Sequence, residues 1–334
     1  MTTTALLVVT FLVAIVFDFT NGFHDTANAI ATSVSTRALT PRQAVALSAV
    51  LNLAGAMVTV VVFGGAVSNT IASLLAEPTL VVIIAGLVGA IAWNLLTWYV
   101  SLPSSSTHAF VGGLVGSAIA AGGGPGAVRW GDFLKVMSGL VLSPPLGFAA
   151  AFLFMAALYV LARHGRPARL NRGFRQLQVL SAAFISYSHG SNDAQKSMAA
   201  MTLALVASGR LTHFKVPVWV VFLAAAAIAF GTYAGGWRII RTLGWRIYKL
   251  EPATGLGAQL MSAIVIQVGT VFGFPISTTH VVTGAVMGAG APRRLSPASW
   301  GVGANILAAW LLTVPGAGLI GWVGYAILHT ARLG

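Results

Sequence analysis

Asn21-Gly22-Phe23-His24-Asp25-Thr26-Ala27-Asn28 is written a second time as His189-Gly190-Ser191-Asn192-Asp193-Ala194-Gln195-Lys196. Further along, Pro103-Ser104-Ser105-Ser106-Thr107-His108 returns as Pro275-Ile276-Ser277-Thr278-Thr279-His280. The order of the two motifs is kept, so the chain reads as one unit written twice. Each copy sets a carboxylate or a run of hydroxyls inside apolar sequence, where unpartnered polar groups are costly to bury. Matched polar interruptions in the two halves of an apolar chain are the pattern of a secondary transporter's midplane site.

Composition gives the surroundings. Of 334 residues, 57% are hydrophobic and only 7% are charged, against roughly 25% charged in a soluble domain. Runs at 44–67, 80–100, 217–235 and 255–273 approach the roughly 20 apolar residues that span a bilayer as a helix. Uninterrupted runs of this kind exclude a barrel, whose strands alternate. The net charge of +13 sits in connections: Arg163, Arg166, Arg169, Arg172 and Arg175 in one, Arg238, Arg241, Arg246 and Lys249 in another. Both read as cytoplasmic loops facing anionic lipid. No basic stripe carries stacking aromatics, so nucleic acid is not an expected partner. The absence of cysteine removes disulfides, thiolate metal sites and thiol catalysis. Residues 5–17 lack a preceding basic region and read as part of the mature first helix.

The expected fold is an all-α polytopic membrane protein made of two inverted-topology repeats, 1–162 and 177–334, joined by a basic cytoplasmic linker at 163–176. Spanning regions are expected at 5–36, 43–67, 79–101, 103–121 and 131–162, and again at 177–209, 216–236, 254–273, 275–291 and 299–329. The outer members of each set exceed the hydrocarbon thickness, so the reading predicts broken helices or re-entrant hairpins, with about 10–12 membrane segments. Breaks are expected near Gly22, Pro144-Pro145, Gly190 and Pro315-Gly316. An odd number of crossings per half inverts one half relative to the other. With 163–175 inside, both termini fall outside and Glu77 lies on an outer loop. Gly112 and Gly116 match Gly284 and Gly288, a paired Gly-x-x-x-Gly stripe suited to close helix contact.

Only six acidic residues occur in the chain, and Asp25 aligns with Asp193. A carboxylate at bilayer depth needs a cation, a partner or a proton. Each hydroxyl cluster follows a proline and opens an apolar segment, so a helix starting there aims its free N–H groups and positive dipole end at the hydroxyls. One such cluster reads as ordinary N-capping; two copies with matched aspartates read as an oxyanion seat beside an ion site. His108 and His280, one residue past each cluster, suit a structural bond to a backbone carbonyl or a proton relay. They lack a matched carboxylate pair for a zinc site.

The run Phe19–Thr32, followed by Ser35-Thr36-Arg37-Ala38-Leu39, resembles the signature of the inorganic phosphate transporter family. Ser188–Lys196 is similar to its second signature in bacterial low-affinity members. This resemblance implies that inorganic phosphate is moved across a bacterial cytoplasmic membrane by a homodimer with an inverted-repeat fold. It implies substrate roles for Asp25, Thr26, Asn28, Ser105, Ser106, Thr107, Asp193, Lys196, Ser277, Thr278 and Thr279. Asp25, Asn28 and Asp193 are the expected coupling-ion residues, with Asp25 and Asn28 as a candidate sodium site. Lys196 departs from the sodium-coupled pattern, which has asparagine there. The long central loop of eukaryotic members is replaced by the short 163–176 linker.

The expected activity is therefore symport of phosphate, free or as a metal–phosphate complex, driven by a proton or sodium gradient and needing no other cofactor. Sulfate is the nearest rival substrate. Phosphate keeps at least one P–OH proton at neutral pH that a buried carboxylate can accept, and sulfate has none. A channel would not need paired carboxylates beside its anion seat, and an enzyme would need a nucleophile–base pair or a metal. A proton is favoured over sodium, because the Lys196 ammonium cannot ligate Na⁺ and repels a cation held nearby.

Overall fold

A computed structural model describes residues 1–100, 102, 104–164, 167–235, 251–293 and 297–331. Arg238, Arg241, Arg246 and Lys249, expected in a basic connection, lie outside the described residues, as do Pro103, Arg166 and Arg294. Eleven α-helices are described: α1 Thr3–Ser35, α2 Pro41–Phe63, α3 Ala66–Ala72, α4 Leu80–Tyr99, α5 Ser106–Ala118, α6 Trp130–Ala162, α7 Pro167–Ala207, α8 Val218–Ala234, α9 Pro252–Val271, α10 Thr278–Gly290 and α11 Pro297–Thr330. No strand occurs among them. Six carry windows long and apolar enough to cross a membrane. Helix α7 is not one of these, because one face of it is polar. Ser181, His189, Ser191, Asn192, Asp193, Gln195 and Lys196 are all buried, so its polar face turns into the protein while Leu177 and Leu180 face outwards.

Local signals place the ends. Thr40 and Gln43 close a capping box in front of Pro41, and Thr79 accepts from the Val82 N–H to start α4. The basic stretch after α6 is shorter than a loop of its full length, since α7 begins at Pro167. Short helix α3, between α2 and α4, had no counterpart in the sequence reading.

The packing of the second half repeats that of the first with the partners exchanged. Helix α1 packs on α8, and α7 packs on α2; α5 packs on α11, and α10 packs on α6. Glycines set these crossings. A Cβ on Gly22 would collide with the α8 backbone at Ile228, and one on Gly190 with the α2 backbone at Asn52. The reciprocal contacts are Gly55 of α2 on Tyr187 and Gly231 of α8 on Phe19. Gly112 and Gly116 meet the backbone of Val314 and Gly318, while Gly284 and Gly288 meet Pro144 and Phe148. Both Gly-x-x-x-Gly stripes are thus contact surfaces between the halves.

The expected helix breaks are corrected. Helices α1 and α7 run unbroken through Gly22 and Gly190, and α6 and α11 run unbroken through Pro144-Pro145 and Pro315. The glycines admit a neighbouring helix instead of opening their own. Pro144 offers no N–H to the Leu140 carbonyl, yet the helix continues, with α10 packed closely on it at Gly284.

The interruptions at membrane depth lie elsewhere. Helices α5 and α10 are 13 residues each; at about 1.5 Å per residue they are too short for a roughly 30 Å core. Each forms a hairpin with the helix before it, α4–α5 and α9–α10. At the two tips Ser104, Ser105 and Ser277 are fully buried. The hairpin alternative, and not the broken long helix, is what the chain adopts.

Candidate functional site

The hairpin tips meet the middles of α1 and α7. Ser105 and Ser277 are the N-caps of α5 and α10, accepting from the N–H of His108 at 3.2 Å and His280 at 3.3 Å. The Ser277 hydroxyl donates to the Ser105 hydroxyl at 2.8 Å, tying one tip to the other. The two half-helix N-termini therefore converge on one buried point. Their partly positive ends and hydroxyls form a seat for an oxyanion.

The aspartates lie on either side. Ser106 donates to Asp25 Oδ2 at 2.8 Å, and its counterpart Thr278 donates to Asp193 Oδ2 at 3.4 Å. Thr279 reaches Asp25 Oδ1 at 3.4 Å, crossing from the other half. His24 Nδ1 stands 2.7 Å from Asp25 Oδ1, and His189 Nε2 stands 3.2 Å from Asp193 Oδ2. Asn28 Nδ2 donates to Thr279 at 2.8 Å. At the matching position Lys196 Nζ donates to Ser106 at 2.9 Å and Thr107 at 3.3 Å, and lies 3.2 Å from Asp193 Oδ2. In both halves, position 28 or 196 thus reaches the hydroxyl cluster of the opposite half.

Ten of the eleven expected substrate residues are gathered here: Asp25, Asn28, Ser105, Ser106, Thr107, Asp193, Lys196, Ser277, Thr278 and Thr279. Thr26 is not. Its hydroxyl donates to the Gly22 and Thr232 carbonyls at 2.5 and 3.3 Å, at the crossing of α1 and α8. Helical geometry decides this, since consecutive residues point about 100° apart and Asp25 takes the inward direction. His24, His189 and Asn21 also stand here, though the histidines have no histidine counterpart in the other half and Asn21 is not among the expected substrate residues. Asn21, with its amide oriented to match its neighbours, donates to Ser106 at 2.8 Å and Asp25 at 2.9 Å and accepts from Lys196 at 3.3 Å. His189 stands four residues before Asp193 on a helix, a spacing that places both on one face.

Ligand atoms of Asp25, His189 and Asp193 all lie within 4.8 Å of one another. The ammonium of Lys196 already stands against Asp193, so this trio meets a resident cation of the protein. On the α1 side the Asn28 Oδ1 atom makes no hydrogen bond, which leaves a neutral oxygen beside Asp25. Below the seat, His108 and His280 stack with ring centroids 4.5 Å apart, and His280 stacks on Trp310 at 3.7 Å.

A family model described as the phosphate transporter family matches residues 21–321. The chain belongs to this family. Its members are transporters, and the membrane-enzyme reading ends there. A probable low-affinity inorganic phosphate transporter of Bacillus subtilis is 44% identical over 97% of this chain and 98% of its own. One of the same description from Rhizobium meliloti is 44% identical over 96% of each chain. A solved structure titled the sodium-dependent phosphate transporter is 25% identical, with a TM-score of 0.89 over 98% of this chain and 99% of that one. The bundle described above is thus a multi-pass membrane transporter fold. Its surface agrees: Leu161, Phe230, Phe272 and Leu311 are among many large apolar side chains turned outwards.

The Ser105–Ser277 bond makes a stability prediction for this family member. Each Ser→Ala change removes an N-cap, costing about 1 kcal/mol. Because the two hydroxyls also share one bond, the double variant should lose less stability than the two single losses together. Thermal unfolding in detergent of all four proteins reads this; strict additivity would show that the tips do not act together.

Proposed function

We propose that the chain is a symporter that carries inorganic phosphate together with a proton, by alternating access around the hairpin tips. The observation that carries this reading is the pairing of Asp25 and Asp193 with hydroxyls at two convergent helix N-termini, bridged by Lys196. Phosphate oxygens would replace the hydroxyl–hydroxyl bonds of the seat, with Ser105–Thr107, Ser277–Thr279 and Lys196 as donors. Its P–OH would donate to a carboxylate, the contact that sulfate cannot make. The family membership and the named relatives support phosphate over other oxyanions.

The moving parts are the two repeats, 1–162 and 177–334, joined by the basic linker at 163–176 and rocking around the hairpin tips. The exchange of packing partners between halves supports an inverted pair, with both termini on the outer side of a bacterial cytoplasmic membrane. A homodimer, and phosphate free or as a metal–phosphate complex, complete the proposal.

The solved structure most relevant to coupling is of a protein titled sodium-dependent, so the coupling ion needs its own argument. Lys196 lies where the first half has Asn28, and its ammonium occupies the place of a cation beside Asp193. A sodium ion on that side would meet direct repulsion. The alternative rests on Asp25 and the free Asn28 oxygen, which offer one neutral sodium site. Uptake of labelled phosphate into proteoliposomes decides between them. With sodium replaced by choline, an inward proton gradient should still drive accumulation. Lys196→Asn should raise the dependence on sodium, because it restores the neutral oxygen that the repeat places at Asn28. Strict sodium dependence of the unaltered protein, with no response to a pH gradient, overturns the proton reading.

A further inference from the structure

Asp18 is the third carboxylate of the interior, and nothing described so far uses it. It is fully buried on α1, on the face that carries Asn21 and Asp25. Neither of its oxygens makes a hydrogen bond of ordinary geometry. Helix α7 packs on α1 and carries Ser197, a buried hydroxyl that also lacks a partner, next to the buried Lys196 and Asp193. Asp25 with His24, and Asp193 with His189, lie at the hairpin tips.

The position is also out of register with the repeat. The counterpart of Asp18 is Ser186, whose hydroxyl donates to its own helix at the Ala182 carbonyl at 2.7 Å. The counterpart of Lys196 is Asn28. The site's two charged departures from the duplication are thus opposite in sign and lie on helices that pack together. Asp25 and Asp193 each have a set of donors around them: Ser106, Thr279 and Asn21 for the first, Lys196 and Thr278 for the second. Asp18 has no such set. Three carboxylates, one ammonium and an incoming phosphate leave an excess of buried negative charge that a proton must offset.

We propose that Asp18 is the carboxyl that carries the coupling proton, with Lys196 as the switch between two partners. This rests on the proton-coupled reading above. On the outer side the carboxylate takes a proton from water and becomes a neutral acid, which frees the Lys196 ammonium to hold phosphate. On the inner side phosphate leaves, the acid returns its proton to water, and the ionised Asp18 takes Lys196 as its counter-ion for the return.

The test compares two assays in proteoliposomes of purified protein: accumulation driven by a proton gradient, and exchange of internal for external phosphate without a gradient. Asp18→Asn mimics the protonated acid. It should cut driven accumulation by at least about tenfold while exchange falls by less than about threefold, a separation that only a coupling role produces. Asp18→Glu, which keeps a carboxyl, should keep driven accumulation. Driven accumulation retained in Asp18→Asn overturns the proposal, and so does equal loss of exchange, which would make Asp18 part of the seat. Should Asp18→Asn fail to fold, infrared difference spectra of the unaltered protein and Asp18→Glu decide. A protonated-carboxyl band that shifts between the two supports the assignment, and an unshifted band overturns it. The underlying reading fails separately, and takes this proposal with it, if the unaltered protein shows no proton-driven uptake at all.

Discussion

Asp193→Asn is expected to abolish phosphate accumulation, lowering the initial rate more than about 100-fold, as loss of a preorganised charge in a dry site does. It is also expected to destabilise the protein. Lys196 is 1% exposed and Asp193 is fully buried, with 3.2 Å between their charges. Removing one partner leaves an uncompensated buried ammonium, at a cost of about 3–5 kcal/mol. Asp25→Asn should stop accumulation equally with a smaller stability change, because no ammonium depends on Asp25 and an amide can still accept from Ser106. Adding Lys196→Met to Asp193→Asn should recover stability without recovering transport, since the buried charge is gone but the site is not restored. Uptake assays paired with thermal unfolding in detergent separate the two effects. Near-normal accumulation by either single aspartate variant would remove that residue from the site.

Gly190→Val and Gly22→Val should each prevent the protein from reaching its folded, monodisperse form. Overpacking a core typically costs about 1–3 kcal/mol when side chains can yield. Here the obstacle is backbone: the α2 chain at Asn52 for Gly190, and the α8 chain at Ile228 and Thr232 for Gly22. Relief requires moving a whole helix away from α7 or α1. That motion also breaks the bonds that flank each crossing. His189 Nδ1 lies 2.9 Å from Asn52 Oδ1, and Asn52 Nδ2 donates to Thr232 at 2.8 Å. Gly126, with open space around its Cβ position, is the control, and Gly126→Ala should be tolerated. Size-exclusion profiles after membrane extraction report the outcome. Intact, monodisperse Gly190→Val protein would show that the crossing is not as close as described.

Much of this was legible in the residues. Apolar run lengths located most of the long helices to within a few residues, because only a helix satisfies its own backbone in lipid; α7 starts ten residues before its expected span, and α5 and α10 are too short to span. The two repeated motifs identified the aspartates and hydroxyls that meet in the interior, and Ser105 and Ser277 announced helix starts. His189 was also within reach, four residues from Asp193 on one helix face. Thr26 misled because the residue after an inward-facing aspartate turns away from it on a helix, and the helix breaks misled for a different reason. A glycine or proline in a helix changes the local cost, but whether the helix opens depends on what stands next to it. At Gly22 the α8 backbone fills the gap, and at Pro144 the α10 backbone packs closely at Gly284.

By itself the sequence determined that this is a duplicated helical membrane protein and which residue types its two halves bring to a common place. That follows from chemistry along the chain: run length, motif register and the cost of burying polar groups. The tertiary structure alone decided which half serves which. Lys196 of the second half reaches Ser106 and Thr107 of the first, Asn28 of the first reaches Thr279 of the second, and Ser277 bonds Ser105. It also decided that Asp18, seven residues from the signature aspartate, is fully buried with neither oxygen hydrogen-bonded. No spacing encodes these pairings. They depend on the angles at which helices from opposite halves cross, and those angles are set by backbone contact at glycines that only the folded bundle brings together.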